Sequence, residues 1–362
     1  MVTRLISSTL CGMAAVILFA CSRGNEASPT GPDIVPLYNK PSSAPSITVI
    51  TLPTLGPGQS GANAINDAQE IAGFSGTFAA RWSLVNGVWT ATKLGSAMGS
   101  ASDINEAGTV VGSSGGNIMV WRRDGSSAVV AAGWGVALNE SETVVGRDGP
   151  TNRPAVWTFA AGVWTRHFLT PMAGGTSHSD PRSINNDGVV VGLSDDGTTW
   201  DHAVKWVPSV TSPGEWDAAV PLDAHAAETN SAAQAIEGQD VIGGIWRCTG
   251  PTTCTSREPY QWTLSGASAI GSLSNLDAWP NGTNSSRFIV GEIFNFSRSA
   301  YERAFVWSPA APQLTDLGVP HGYSESSATD INNGTATRSS KQVVGIGYGS
   351  RGSQIALLWT IP

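Results

Sequence analysis

The stretch that decides the fold is Ile104-Asn105-Glu106-Ala107-Gly108-Thr109-Val110-Val111-Gly112. A short apolar run ends in Asn. A polar turn with Gly follows, where a left-handed residue carries no steric penalty, and a β-branched pair then ends in Gly. Two strands joined by a tight turn satisfy this pattern, whereas no helical period fits it. The phrase recurs as Ile65-Asn66 to Ala72-Gly73, Leu138-Asn139 to Val145-Gly146, and Ile184-Asn185 to Val191-Gly192. Looser copies are Ile236-Glu237 to Ile242-Gly243, Asn281-Gly282 to Val290-Gly291, and Ile331-Asn332 to Val344-Gly345.

Each copy is followed by a strand ending in Trp: Trp82, Trp121, Trp157, Trp206, Trp262, Trp307 and Trp359. These tryptophans recur on average every ~46 residues, the spacing of a four-stranded repeat unit. They read as packing between successive sheets rather than as ligand platforms. A closing phrase often completes the unit, as in Leu314-Thr315-Asp316-Leu317-Gly318. The expected fold is all-β: a seven-bladed β-propeller of four-stranded blades. The last copy stops at Trp359-Thr-Ile-Pro362 without its closing phrase, while Leu52-Pro-Thr-Leu55-Gly56 stands at the front with no unit of its own. The N-terminal strand is therefore expected to join the last blade and close the ring, which removes the two free edges of an open array.

The order Ile-Asn, Val-Val-Gly, Ala-Phe-x-Trp resembles the HAF repeat of extracellular bacterial and archaeal proteins. The nearest matches are His202-Ala203-Val204-Lys205-Trp206 and Arg303-Ala304-Phe305-Val306-Trp307. The resemblance spans nearly all of residues 47–362 and implies no catalytic residues.

The chain divides into a leader (1–20), a tether (21–45) and the repeat domain (46–362). Arg4 precedes an apolar stretch, Leu10 to Ala20, that is too short to span a bilayer comfortably. Leu18-Phe19-Ala20-Cys21 resembles the lipobox of bacterial lipoproteins, which implies acylation of Cys21 and anchoring to a membrane. Ser22 after that position favours the outer membrane or cell surface. Residues 22–45 are rich in Ser, Pro, Gly, Asn and Lys and carry no apolar period. Cys248 and Cys254 flank a Gly-Pro turn, and an oxidising compartment favours a disulfide between them.

A net charge of −8 excludes a nucleic-acid footprint. Two enzyme-like motifs have the wrong setting. Gly112-Ser113-Ser114-Gly115-Gly116 lacks the helix of a nucleophile elbow, and Gly347-Tyr-Gly349-Ser-Arg-Gly352 opens no βα unit. The Asn- and Asp-rich turns lack the twelve-residue loop of a calcium site. No cofactor or metal is expected, and the chain is expected to act as a monomer.

In a propeller, the loops between second and third strands share one face with the blade-to-blade connections. These grow in the later units and gather His178, Asp180, Arg182, Trp200, His202, His225, Trp246, Tyr301, His321 and Tyr323. This face is the candidate surface for a glycan, peptide or envelope partner. Asp180, Arg182, His225 and Tyr323 could instead serve a secreted carbohydrate-active lyase or hydrolase. A purely structural envelope protein is the third reading.

Overall fold

The Val-Val-Gly phrases open the second strand of each unit, and the glycine there is a geometric requirement. A Cβ on Gly112 would lie 2.2 Å from the carbonyl oxygen of Ser100. At Gly73, Gly146, Gly192, Gly243, Gly291 and Gly345 the corresponding backbone oxygen would lie 1.9–2.2 Å away. First and second strands thus approach too closely for any side chain at this point.

The computed structural model describes residues 46–362 except 177, 199–200, 223–228, 251–252, 271–276, 296–299 and 335–339, and without the side chains of 229, 247–256 and 294–302. The chain forms antiparallel meanders. Strand β1 (Thr48–Thr51) precedes the first unit, which comprises β2 (Ser60–Ile65), β3 (Ile71–Ser75), β4 (Phe78–Val85) and β5 (Val88–Lys93). The second contains β6 (Gly99–Ile104), β7 (Val110–Ser114), β8 (Asn117–Trp121) and the first half of β9 (Ser127–Leu138). The third takes the second half of β9, then β10 (Val144–Asp148), β11 (Pro154–Ala160) and β12 (Val163–Phe168). The fourth is β13 (Ser179–Ile184), β14 (Val190–Asp195), β15 (Asp201–Trp206) and the two-residue β16 (Val220–Pro221). The fifth is β17 (Thr229–Glu237), β18 (Asp240–Gly250), β19 (Thr253–Thr263) and β20 (Gly266–Ala269). The sixth is β21 (Asp277–Thr283), β22 (Ile289–Asn295), β23 (Ala300–Ser308) and β24 (Ala311–Asp316). The last is β25 (Tyr323–Ile331), β26 (Lys341–Gly349) and β27 (Gln354–Ile361).

Two features differ from a set of seven separate sheets. Units two and three share one seven-stranded sheet, because β9 pairs with β8 through Ala132 and with β10 from Gly133 onward. Gly133 sits at φ +138°, and a Cβ there would meet the Arg147 carbonyl at 2.2 Å, so only glycine lets the strand pass from one partner to the other. The sixth copy of the repeat also begins later than the sequence suggested. Thr283-Asn284, not Asn281-Gly282, occupies the Ile-Asn place, since Asn284 receives the turn N–H of Phe288.

The core lies between units. Trp121 packs with Ala64, Ala72 and Ala79 of unit one, and Trp157 with Val111, Ile118 and Val120 of unit two. The same step recurs from Trp206 through Trp359, each indole reaching the preceding unit. Trp82 of unit one packs with Val344, Ala356 and Leu358 of the last unit. Strand β1 pairs antiparallel with β27, Thr48 opposite Thr360 and Thr51 opposite Leu357. Just beyond it, Leu52 is 2% exposed in the cluster shared by the first and last units, and the Pro53 carbonyl accepts the Trp82 indole N–H at 2.6 Å.

Candidate functional site: a cavity ringed by clasps and a loop face

In all seven first strands the ladder slips by one residue against the second strand. The unpaired residues are Asn63, Ser102, Val136, Arg182, Gln234, Asn281 and Thr329, and all line a single cavity of about 500 Å³. A bulge re-aims a side chain away from the sheet. Here it turns the side chains towards the neighbouring unit. Asn63 Nδ2 donates to the Ala101 carbonyl at 2.7 Å, and Ser102 Oγ to that of Gly135 at 2.9 Å. Asn281 Nδ2 donates to the Ala328 carbonyl at 2.9 Å, and Thr329 Oγ1 to that of Ala62 at 2.8 Å. Arg182 uses Nη1 to reach Gln234 Oε1 at 3.0 Å. Val136 has no donor to offer.

A second set of bonds lies at the turns. Asn66 Nδ2 donates to the Asn105 carbonyl, Asn105 to that of Asn139, and Asn139 to that of Asn185, at 3.0–3.1 Å. Asn185 continues to Gly238 at 2.6 Å, Asn284 to Asn332 at 2.9 Å, and Asn332 to Asn66 at 3.4 Å. Each asparagine meanwhile accepts, through Oδ1, the N–H of the residue that restarts its own hairpin: Glu70, Thr109, Thr143, Val189, Phe288 or Gln342. Unit five has Glu237 in the asparagine's place, and its link to unit six is the ion pair of Asp240 with Arg287 at 2.6 Å.

Hairpin geometry alone was the sequence explanation for these asparagines, and it is incomplete. An acceptor and a donor are both needed, which Asp cannot supply when ionised. The available signal was that six of the seven positions hold Asn and none holds Asp.

The cavity wall is acidic. Asp67, Asp103, Glu106, Glu140, Asp187, Glu237 and Asp330 line it against the single cation of Arg182. Burial raises Asp103 to about 6, although the N–H groups of Leu138 and Ile104 favour its charged form. Burial raises Asp330 to about 8, helped by the charges of Asp103 and Glu237 and opposed by the Ile65 N–H. Glu106 is raised to about 6 by burial, with the Asp67 N–H opposing. Several of these carboxylates bind backbone of a neighbouring unit: Asp103 holds Leu138 N at 3.0 Å, Asp330 holds Ile65 N at 2.9 Å, and Glu140 holds Glu106 N at 2.8 Å. Among the described residues, no group of three or more His, Cys, Asp or Glu could hold a metal ion.

The loop face lies at the other end of the strands. Unit four brings part of the sequence-derived set together. His178 Nδ1 lies 2.7 Å from Asp201 Oδ1, and its N–H donates to Asp195 Oδ2. The Asp201 hydrogen bond, with Asp195 and Asp180 nearby, raises the His178 pKa above its ordinary value. Asp180 sits between Arg147 at 3.3 Å and Arg182 at 3.0 Å. His202 Nε2 lies 3.1 Å from Asp196. Between units five and six, the rings of Trp246 and Trp279 are 4.4 Å apart at 39°, with the Arg257 guanidinium 5.5 Å from the Trp279 ring. A Cβ on Gly244 would strike Trp279 at 2.2 Å, so this glycine makes room for the ring. His321 and Tyr323 stand at the entry to unit seven, on a different sheet from Asp180 and Arg182. Trp200, His225 and the side chain of Tyr301 lie outside the described residues, as does Cys21. Ser114 is buried at the end of β7, beside a Gly-Gly turn with no helix after it.

No family model matches the chain, and no curated protein does. Solved structures do. The β-propeller domain of Cps50 (Swd1) from Myceliophteria thermophila superposes with a TM-score of 0.50 at 11% identity, covering 84% of this chain and 98% of that one. The chain has a propeller-like fold. A gluconolactonase from Xanthomonas campestris (TM-score 0.43, 14% identity, 78% of this chain and 90% of that one) and the sialidase of Trypanosoma rangeli (0.44, 10%, 88% and 60%) also resemble it. At such identities the likeness bears on fold alone.

Proposed function

We propose that this chain is an exported lipoprotein, anchored through Cys21, whose seven units close into a seven-bladed propeller that serves as a non-catalytic recognition or scaffold module. The observation that carries the non-catalytic reading is how the cavity's polar groups are used. Most bulge side chains, the turn asparagines, and Asp103, Glu140 and Asp330 are committed to backbone of an adjacent unit. A carboxylate that holds a structural N–H is poorly placed to act as acid or base on a substrate.

Closure is supported by contacts between the first and last units. Thr329 binds the Ala62 carbonyl, Asp330 the Ile65 N–H, and Asp67 both the N–H (2.6 Å) and the side-chain amide (3.2 Å) of Asn333. Recognition then falls to the loop face, where Trp246, opposite Arg257 in the β18–β19 ladder, is half-buried and His178 is exposed. Tilted aromatic rings beside a guanidinium suit the flat faces of a sugar or a peptide side chain. Binding of the labelled mature chain to glycan and peptide arrays, lost on Trp246→Ala, is the expected result. Turnover of a polysaccharide by the same preparation, abolished by Asp180→Asn, would replace this reading with an enzyme.

A further inference from the structure

The two ends of the strands differ in what they present. At the end carrying the asparagine turns, the hairpins between third and fourth strands project apolar tips. Val88 is 65% exposed in unit one, Val163 62% in unit three, Val210 92% in unit four and Leu264 85% in unit five. Val85 and Phe159 stand beside them, also exposed. Units three to five are consecutive, so their tips follow one another along the rim. Soluble domains rarely set large aliphatic groups at successive turn tips, where polar residues suit the turn better.

The chain enters the domain at this same end. Thr48 is opposite Thr360, and Ile361 is opposite Lys341, the residue that follows the last asparagine turn. The described chain therefore begins, just before β1, on the side of the apolar tips. We infer that this face rests on a lipid bilayer, with the hairpin tips inserted among the headgroups, and that the surface it fits is zwitterionic. The second part follows from charge. Among the described residues most basic side chains at this end are already engaged: Arg122 with Glu142 and Arg123 with Glu70, both at 2.6 Å, Arg287 with Asp240, and Lys341 over the Phe288 ring at 4.4 Å. The acidic cavity wall, including Asp67, Glu106 and Glu140, opens among the same turns. Among the described residues carboxylates outnumber cations at this end, and they oppose an anionic surface. The orientation rests on the anchored reading above, but the tips can be tested without the anchor.

The test uses the chain from Ser22 onward, made without leader or lipid; the apolar clusters of the described residues lie within 47–361. Sedimentation with phosphatidylcholine vesicles should carry the wild-type chain down. The pair Val210→Asp and Leu264→Asp should lower the partition coefficient about tenfold or more, since each tip surrenders its apolar transfer. Its circular dichroism and melting midpoint should stay unchanged, and Met98→Asp, in the exposed β5–β6 connection on the opposite face, should bind as wild type does. Phosphatidylglycerol vesicles should bind less than phosphatidylcholine at low salt. The inference is overturned if the wild-type chain stays in the supernatant, if the double variant binds equally, if anionic vesicles bind better, or if the tips instead mediate a dimer that the same pair of substitutions dissolves. Since the assayed chain carries no acyl group, failure of the lipid-anchor proposal would leave these outcomes untouched.

Discussion

Asn105 donates its side-chain Nδ2 to the carbonyl of Asn139 at 3.1 Å, while its Oδ1 takes the N–H of Thr109 in its own hairpin at 2.8 Å. One side chain thus closes a turn and fastens the next unit. Asn105→Asp keeps the acceptor and loses the donor, and it puts a charge where the residue is 5% exposed. We expect a loss of about 1–3 kcal/mol at neutral pH, the range for a buried carbonyl left without its partner. Denaturant melts should show part of that loss recovered in acid, where a protonated Asp can donate again. No recovery would mean that the turn, rather than the link, suffers.

Leu52 ties the front of the chain to both the first and last units. Leu52→Ala should cost about 2–5 kcal/mol, as large-to-small changes in packed cores do. Deletion of residues 46–56 should destabilise the whole domain, whereas deletion of 24–40 should not. Thermal unfolding of the three variants measures this. An unchanged midpoint for the 46–56 deletion would remove β1 from any closing role.

The buried carboxyls set a pH dependence. Asp103, Glu292 and Asp330 stand at about 6, about 7 and about 8 in the folded chain. Their unfolded values are near 3.8 for Asp and 4.5 for Glu. Because the folded values are raised, the folded state holds protons that the unfolded chain has released. The contribution of these three groups is full below about pH 4 and is lost as pH rises from there through 8. Asp330→Asn, which can still accept the Ile65 N–H, should flatten that decline and melt higher than wild type at pH 8. A steeper slope in the variant would contradict the assignment.

Strand pairing places Cys248 opposite Cys254 across β18 and β19. Mass spectrometry of the unreduced chain should show the two linked, because directly opposed strand residues fall within disulfide reach. Free thiols at both positions would rule the bond out.

Cys21→Ser should leave the chain unacylated and release it from membranes that hold the wild type. Phase partitioning in detergent checks it. A variant that still partitions like wild type would count against the acylated cysteine.

The repeat made much of the architecture legible. Trp82 to Trp359 announced where units pack, and Leu52-Pro-Thr-Leu55 stood out as a closing phrase with no unit of its own. The clasps were harder to read. Asn66 and Asn105 look like turn residues, and only the neighbouring unit, some forty residues away, gives Nδ2 its partner. The bulged residues carry no shared chemistry, since Ser102, Arg182 and Gln234 are alike only in backbone register. Loop position grouped His178, Asp180 and Arg182 in unit four because they follow one another in a single strand and its entry, and the bulge then turns Arg182 into the cavity. Loop position could not join Tyr323 to them, since proximity across units depends on side-chain reach rather than on sequence order.

Strand β9 runs from Ser127 to Leu138 without a turn, pairing with β8 on its first half and β10 on its second. Elsewhere, neighbouring units meet through a connection that can absorb an added residue. Here the alignment of one unit fixes that of the next, and a slip of one position would turn the side chains of both inside out. Units two and three should therefore open as one cooperative block in native-state hydrogen exchange, with a common free energy across β7 to β11. Their junction is also where the array can least tolerate the insertion or loss of a residue.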